Sequence, residues 1–263
     1  MALGPLLARG RTAEIHAWGL NHVVKVYHPW MPRSAVELER RCTAAARAAG
    51  LPVPAVGEVV QLDGRVGLVL ERVDGLSMMD RITGQQDHPM DSACRLAELH
   101  RALHQQPAPP GLPDQADRLE SRIRRGSVLG PAEQEAALTA LVRLDRGDRL
   151  CHGDFHPGNV LVADQGPVII DWIDAASGSP AADLGRTVLL FEGAIATSQA
   201  SEGMPALMRQ YRDAYLEGYG ADHGPAATWR AWMPVLAAAR LDEQIEEQRD
   251  WLVCQVRQGL SLA

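Results

Sequence analysis

The chain has 263 residues, 46% of them hydrophobic and 22% charged, with a formal net charge of −7. This composition is typical of a folded protein with a sizeable core, and the acidic balance argues against nucleic acid as a partner. No stretch is apolar for long enough to cross a bilayer, and Gly4-Pro5 and Arg9 interrupt the N-terminus too early for a secretory signal. The four cysteines show neither zinc nor disulfide spacing, so we expect a cytoplasmic protein that does not bind membranes.

Three short β-rich runs open the chain, at residues 6–8, 15–18 and 22–27. Gly10 to Ala13 predicts a turn between the first two, with Thr12 and backbone N–H groups able to contact phosphate. The third run contains Lys25, the only lysine in a chain that otherwise uses arginine. A single lysine within a predicted strand suggests that this position needs the compact charge of an ammonium group.

A helix is predicted next, followed by two strands. Ser34 and Glu37 have the spacing of a capping box, and Gly50 marks the helix end. Residues 56–62 and 65–72 predict two strands that Asp63-Gly64 joins as a hairpin. From Leu76 onward the pattern is helical.

A predicted helix over residues 91–104 carries two histidines at the spacing of a metal-binding pair. His100 and His104 are four residues apart, but no glutamate follows His100 and the sequence offers no third ligand. We therefore interpret them as packing or surface histidines.

The densest constellation of polar residues lies in residues 150–184. Asp154 and Asn159 are separated by four residues in a loop that contains Pro157 and Gly158. The apolar runs 160–162 and 168–170 predict a hairpin with a longer loop. Such a hairpin brings Asp171 back to the end where Asn159 enters, and two carboxylates with one amide suit a site for Mg²⁺ and a nucleotide.

The order His152-x-Asp154-x-x-x-x-Asn159, with Asp171-Trp172 after two strands, resembles the aminoglycoside phosphotransferase family of kinase-like enzymes. The resemblance implies an α+β, two-lobed, protein-kinase-like fold. Its N-lobe is small and β-rich, over residues 1–73, and its C-lobe is larger and mostly helical, over residues 74–263.

The resemblance also implies roles for individual residues. Asp154 would be the catalytic residue, Asn159 and Asp171 would hold the metal, and His152 and Asp183 would support the loop. The nucleotide-binding residues would be Lys25 with its helix partner Glu39, Thr12 in the phosphate loop, and the hinge residues Glu71 and Val73.

The C-terminal region suggests how an acceptor could be recognised. Five of its acids fall within residues 242–250, which we interpret as one helix. Such a face is either solvated or a wall for a cation, and the binding alternative predicts a set of acceptor-binding acids, Glu243, Glu246, Glu247 and Asp250.

The sequence thus predicts transfer of the γ-phosphoryl group of ATP, with Mg²⁺, to a hydroxyl of a small cationic molecule. An aminoglycoside-type antibiotic is the first choice, which would imply a role in antibiotic resistance. A metabolite kinase acting on choline, homoserine or an amino sugar is the alternative. A nucleotide-binding pseudokinase is a third, against which the complete set of Lys25, Asp154, Asn159 and Asp171 argues.

Overall fold

Antiparallel strands dominate the first part of the chain and helices the remainder in the computed structural model, which describes residues 3–198 and 203–261. The strands are β1 Leu6–Arg9, β2 Ala13–Trp18, β3 His22–Tyr27, β4 Val56–Leu62, β5 Arg65–Glu71, β6 Gly75–Ser77, β7 Arg149–Cys151, β8 Val160–Ala163, β9 Gly166–Ile169 and β10 Ala176–Gly178. The α-helices are α1 Arg33–Ala48, α2 Met78–Thr83, α3 Pro89–His104, α4 Gln115–Arg125, α5 Pro131–Val142, α6 Pro180–Ala196, α7 Gly203–Tyr219, α8 Trp229–Arg240 and α9 Arg249–Gly259.

By their contacts, the described residues form two units. The first comprises the described residues within Met1–Gly84 and Pro157–Ala175, and the second comprises those within Gln85–His156 and Ala176–Ala263. The division into lobes after residue 73 stays a prediction. Among residues 3–198 and 203–261, no helix combines the length and the apolarity that crossing a membrane requires.

The first unit is built on a five-stranded antiparallel sheet in the order β1-β2-β3-β5-β4. Its third strand is central, and Lys25 lies opposite Ile15 on β2 and Leu68 on β5. Helix α1 packs against β4 and β5, and its Val36 joins Tyr27 and Leu68 in a buried cluster. The lysine therefore projects from the most constrained strand of the sheet.

The start of α1 differs from the prediction. The helix begins at Arg33 after Pro32, and no side chain caps it, so the capping box predicted at Ser34 and Glu37 is wrong. Because the helix starts one residue before Ser34, this serine has helical backbone and cannot act as an N-cap. Glu37 instead receives hydrogen bonds from Arg33 and Arg40 on its own helix, at 3.5 and 3.0 Å.

A second sheet in the first unit has the order β6-β8-β9. The hairpin β8–β9 forms as predicted, but its turn has only two residues, since Ala163 pairs with Gly166. Strand β6 was not predicted: residues 76 and 77 pair with β8 rather than starting a helix. The N–H of Ile170 donates to the carbonyl of Asn159 at 3.0 Å, so the residues that flank this hairpin share one end.

The second unit is mostly helical, with β7 and β10 as a two-stranded antiparallel ladder. Helix α6 packs against α7 and α8, and α3 packs against α7. Tyr211, Tyr215 and Tyr219 of α7 are buried, as expected for a core stripe. Because the loop with Asp154 follows β7 directly, this ladder and α6 set the loop's position.

Gly147, just before β7, provides a test of that placement. Its φ is +65°, and an added Cβ would lie 2.5 Å from the carbonyl oxygen of Gly178 on β10. We expect Gly147→Ala to cost roughly 1–2 kcal/mol in backbone strain and roughly 1–3 kcal/mol in overpacking. Gly111 is the matched control, because its φ is +87° but nothing lies within 4 Å of an added Cβ.

The measurement is the melting temperature, which falls by roughly 2–4 °C for each kcal/mol in a domain of this size. Gly147→Ala should melt clearly below Gly111→Ala. Equal melting temperatures for the two variants would contradict the tight approach to Gly178.

Candidate active site

Lys25 is the centre of a buried ion network in the first unit. Its Nζ donates to Glu39 Oε1 and to Asp171 Oδ1, both at 2.8 Å. Lys25 is 6% exposed and Glu39 is 2% exposed. Burial alone would lower the pKa of Lys25, but the charges of Asp171 and Glu39 outweigh it and raise the pKa above its usual value. The lysine is therefore a permanent cation held between a helix and the end of the β8–β9 hairpin.

A tyrosine that the sequence reasoning missed completes this network. Tyr27 follows Lys25 by two residues on β3 and so faces the same side of the sheet. Its hydroxyl donates to Glu39 Oε2 at 2.5 Å, and Lys25 Nζ lies 5.3 Å from its ring centroid. Both oxygens of Glu39 are thus engaged, which fixes the carboxylate that orients the lysine. The alternation of side chains along a strand could have predicted from the sequence that Tyr27 lies on the same face as Lys25.

Asp171 adopts a left-handed backbone conformation, with φ 65° and ψ 66°. Non-glycine residues seldom occupy this region, and such strain concentrates at functional sites. Asn159, at the other end of the hairpin, is 8% exposed and lies in a 3₁₀ turn, Pro157–Asn159. Both residues offer hard oxygen donors at one end of one hairpin.

The other residues predicted to bind the nucleotide, Thr12, Glu71 and Val73, lie in a turn and near a strand end of the same unit. Thr12 lies between β1 and β2, where its carbonyl accepts the N–H of His28 at 2.9 Å. Glu71 is the last residue of β5, and its side chain accepts the N–H of Ala55 at 2.8 Å. The N–H groups of Glu71 and Arg72 donate to the carbonyls of residues 55 and 21. Any contact from this segment to an adenine edge would therefore use Val73 or carbonyl groups.

In the second unit, Asp183 on α6 holds the loop that carries Asp154. Its Oδ2 accepts the N–H of His152 at 2.6 Å, and its Oδ1 accepts the N–H of Gly153 at 2.8 Å. The φ of Gly153 is +81°, a conformation that glycine adopts at little cost. Thr187, one turn further along α6, donates to the carbonyl of Phe155 at 2.8 Å. The backbone of this loop is thus fixed by one helix.

Asp183 also joins the two histidines of α3. Nε2 of His100 and Nε2 of His104 lie 3.2 and 3.1 Å from Asp183 Oδ2. Their Nδ1 atoms lie 2.6 and 2.7 Å from the hydroxyls of Tyr215 and Tyr219. Burial would raise the pKa of Asp183, but the hydrogen bonds from the histidines hold it well below its usual value. The interpretation of both histidines as packing residues agrees with this buried hydrogen-bonded network.

The structure supplies the third group that the sequence did not reveal, since His100, His104 and Asp183 place three potential metal ligands within 4.8 Å of one another. The same Asp183 oxygens, however, already accept two backbone N–H groups. A buried carboxylate with four N–H donors is fully satisfied without an ion. We therefore interpret this cluster as a support for the loop.

Asp154 projects from that loop with 29% of its side chain exposed. Arg186 Nη2 lies 3.4 Å from its Oδ1, and His156 Nε2 lies 3.6 Å from its Oδ2. Burial would raise the pKa of Asp154, but the hydrogen bond from His156 and the charge of Arg186 keep it well below its usual value. The carboxylate is therefore ionised and able to accept a hydrogen bond at neutral pH.

The predicted acceptor-binding acids do not lie on one helix, so that part of the prediction is wrong. Gln244 takes a left-handed conformation with φ 54°, which separates the 3₁₀ turn Leu241–Glu243 from α9. Glu246 and Glu247 lie in a second 3₁₀ turn, and Asp250 lies in the first turn of α9; all three are exposed. Glu243 differs, with 11% of its side chain exposed against arginines. The roles of these acids in acceptor binding stay a prediction.

Solved structures with the same fold place the chain among kinase-like proteins. A choline/ethanolamine kinase family protein from Mesorhizobium loti superposes with a TM-score of 0.63 and 15% identity, over 98% of this chain and 87% of that one. Aminoglycoside phosphotransferase APH(3″)-Id from Streptomyces rimosus, solved with ADP and streptomycin, superposes with a TM-score of 0.57 and 16% identity. The match covers 86% of this chain and 90% of that one. The two-lobed kinase-like fold is confirmed.

The model of the phosphotransferase enzyme family matches residues 9–235, and the chain belongs to this family. Streptomycin 6-kinase of Streptomyces griseus is 29% identical over 62% of this chain and 54% of its own length, so the chain spans about half of that relative. The EKC/KEOPS complex subunit BUD32 of Yarrowia lipolytica is 26% identical over 73% of the chain and 71% of its own length. The predictions of the family and of a phosphotransferase enzyme are confirmed.

The histidine network predicts a pH dependence of stability. Burial is the main reason why the pKa of His100 falls from 6.5 to about 3, and the neighbouring His104 lowers it further. Asp183 and His152 also face the His100 ring. Between these values the unfolded chain binds a proton that the folded chain does not, so stability falls as the pH falls from 6.5 toward 3. The loss from this group alone is about 1.4 kcal/mol per pH unit.

His100→Gln keeps a polar side chain but removes the titration. Urea unfolding at several pH values between 4.5 and 6.5 should therefore give a shallower loss of stability for this variant than for the natural chain. That window avoids the titration of Asp183 in the unfolded chain, whose usual pKa is 3.8. Parallel pH profiles for the two proteins would show that His100 is not held neutral.

Proposed function

We propose that this protein transfers the γ-phosphoryl group of ATP to a hydroxyl of a small cationic molecule, with an aminoglycoside-type antibiotic as the first candidate. The observation that carries the proposal is the ion network of Lys25, Glu39 and Asp171. A lysine that is buried, cationic and fixed by a helix glutamate suits the binding of nucleotide phosphates. A structure of the same fold that was solved with ADP and streptomycin supports the choice of nucleotide and acceptor.

The nucleotide would be bound by the first unit. Lys25 would contact the phosphates, Glu39 would keep it in position, and Thr12 with its turn would lie over the phosphates. Glu71 to Val73 would meet the adenine through the main chain. The solitary use of lysine at this position fits the need for a compact charge, which a wider guanidinium does not replace.

Asn159 and Asp171 would hold Mg²⁺. An amide oxygen and a carboxylate are hard donors of the type that Mg²⁺ prefers, and both come from one end of one hairpin. The metal would supply positive charge that neutralises the phosphates during transfer. Asp171 would exchange its contact with Lys25 for this role, which its strained backbone conformation suits.

Asp154 would accept a hydrogen bond from the acceptor hydroxyl and orient its oxygen toward phosphorus. As the new oxygen–phosphorus bond forms, the bond to the β-phosphate oxygen breaks, ADP leaves, and the hydroxyl proton passes to the Asp154 carboxylate. Its low pKa makes it a weak base, so its main contribution would be orientation, in keeping with a loose phosphoryl-transfer transition state.

A metabolite kinase is the second candidate. The choline/ethanolamine kinase family protein has a TM-score of 0.63 over 98% of this chain, which supports a small amino alcohol as the acceptor. The exposed acids Glu246, Glu247 and Asp250 would serve a cationic acceptor in either case. Neutralising Glu246 and Glu247 would then weaken the binding of the acceptor more than the binding of ATP.

The test is ADP release in the presence of ATP, Mg²⁺ and a panel of streptomycin, other aminoglycosides, choline, homoserine and amino sugars. At least one acceptor should increase ADP release, and its phosphorylated product should be identified by mass. If no acceptor changes ADP release while ATP binds, the protein is a nucleotide-binding regulator instead.

With an accepted substrate, Asp154→Asn should lower kcat on the order of a hundredfold or more, because the carboxylate that orients the acceptor hydroxyl and takes up its proton is lost. Nucleotide affinity should stay within a factor of about two, since Asp154 does not contact the nucleotide in this mechanism. Asp164→Asn, in the turn between β8 and β9, is the matched control and should leave kcat unchanged. Near-normal turnover of Asp154→Asn would exclude its catalytic role.

A further inference from the structure

Three side chains on one face of α6 reach the loop at residues 152–155. Asp183, Arg186 and Thr187 are three and four residues apart, the spacing that aligns side chains on a helix. Asp183 and Thr187 bind the loop backbone. Arg186 differs from them because it contacts a side chain of the loop, the carboxylate of Asp154.

The Arg186 guanidinium is shared between two carboxylates. Its Nη2 lies 2.6 Å from Glu243 Oε1 but 3.4 Å from Asp154 Oδ1, so the stronger bond is to the glutamate. His156 approaches the other oxygen of Asp154. The carboxylate is thus contacted on both oxygens, and neither contact is short.

Glu243 is held in turn by further arginines. Its Oε2 accepts from Arg240 Nη1 at 3.1 Å, and Arg122 Nη1 lies 3.7 Å from Oε1. Nε of Arg240 donates to Gln248 at 3.1 Å. The side chains of Arg186 and Arg240 are only 8% and 7% exposed. Removing charges of this kind from water costs free energy that their pairing often does not recover, so stability alone is a poor explanation for the cluster.

We propose that Arg186 is a positioning residue for Asp154, and that Glu243 restrains Arg186 so that its guanidinium orients the carboxylate without closing on it. A tight bidentate pair would occupy both oxygens of Asp154 and block the acceptor hydroxyl. Without the guanidinium, the carboxylate would lose its contact at Oδ1 and would be less well oriented. The inference rests on the proposed role of Asp154 as the residue that orients the acceptor.

This assignment separates Glu243 from the exposed acids predicted to bind a cation. A glutamate that accepts from Arg186 and Arg240 has its charge compensated inside the protein. Its effect on turnover would therefore pass through Arg186. A substrate contact would instead act independently of Arg186 and would appear in KM for the acceptor.

The experiment measures kcat and KM with ATP and an acceptor found in the panel. Arg186→Ala should lower kcat by roughly ten- to a hundredfold with KM for ATP unchanged, the size expected when a reacting group is misplaced by about 1 Å. Millimolar guanidinium, too dilute to denature, should restore part of the lost kcat, and Arg186→Lys should retain part of it. Arg212→Ala is the control, since Arg212 pairs with Glu192 and Asp213 and should not affect kcat.

Glu243→Gln should also lower kcat, because the guanidinium of Arg186 then loses its charged partner at 2.6 Å and closes on Asp154. The double variant Arg186→Ala/Glu243→Gln should be no slower than Arg186→Ala alone, since Glu243 acts only through Arg186. Multiplied losses in the double variant, or a rise in acceptor KM with unchanged kcat in Glu243→Gln, would return Glu243 to the acceptor-binding acids and overturn the proposal.

A melting experiment tests the contact without turnover. Asp154→Asn and Arg186→Ala should lower or raise the melting temperature non-additively, because the two side chains interact. Additive shifts in melting temperature would contradict the contact between Asp154 and Arg186, whether or not an acceptor is found. Failure to find an acceptor would refute only the proposed function. Turnover by the natural chain together with an unchanged kcat in Arg186→Ala would refute the positioning role alone.

Discussion

The buried charge of Lys25 is the constraint on which the first unit depends. A lysine that is 6% exposed is costly unless carboxylates compensate it, and here Glu39 and Asp171 do so at 2.8 Å each. These partners come from a helix and from the end of a hairpin, so one cation ties together β3, α1 and the segment after β9. Tyr27 fixes Glu39 in turn. In the proposed function, the same charge would bind the phosphates of a nucleoside triphosphate.

The second unit contains a buried negative charge, where the first contains a buried positive one. Asp183 is a fully buried carboxylate, and its partners are two backbone N–H groups and the ring nitrogens of His100 and His104. The two N–H groups lie in the loop that carries Asp154. Because α6 also places Arg186 and Thr187 against that loop, one helix contacts both the loop backbone and the side chain of Asp154.

Local patterns predicted the parts of the structure that local chemistry controls. The hairpins at Asp63-Gly64 and β8–β9 follow from turn residues between apolar runs, and the uniqueness of Lys25 marked its position. The capping box was wrong because α1 already begins at Arg33, which places Ser34 inside the helix. Contacts between distant elements were invisible: Tyr27 meets Glu39 on another element, and Glu243 meets Arg122 and Arg186 across more than fifty residues of sequence.

The most direct test of the account is labelling with an acyl-phosphate derivative of ATP, which transfers its acyl group to an amine beside the bound phosphates. Lys25 is the only lysine, so the N-terminal amine provides an internal reference for nonspecific reaction. If Lys25 lies beside the bound phosphates, peptide mapping finds the label on Lys25, and excess Mg-ATP suppresses it there but not at the N-terminus. Labelling of Lys25 that ATP does not suppress would place this lysine outside the nucleotide site and contradict the central claim.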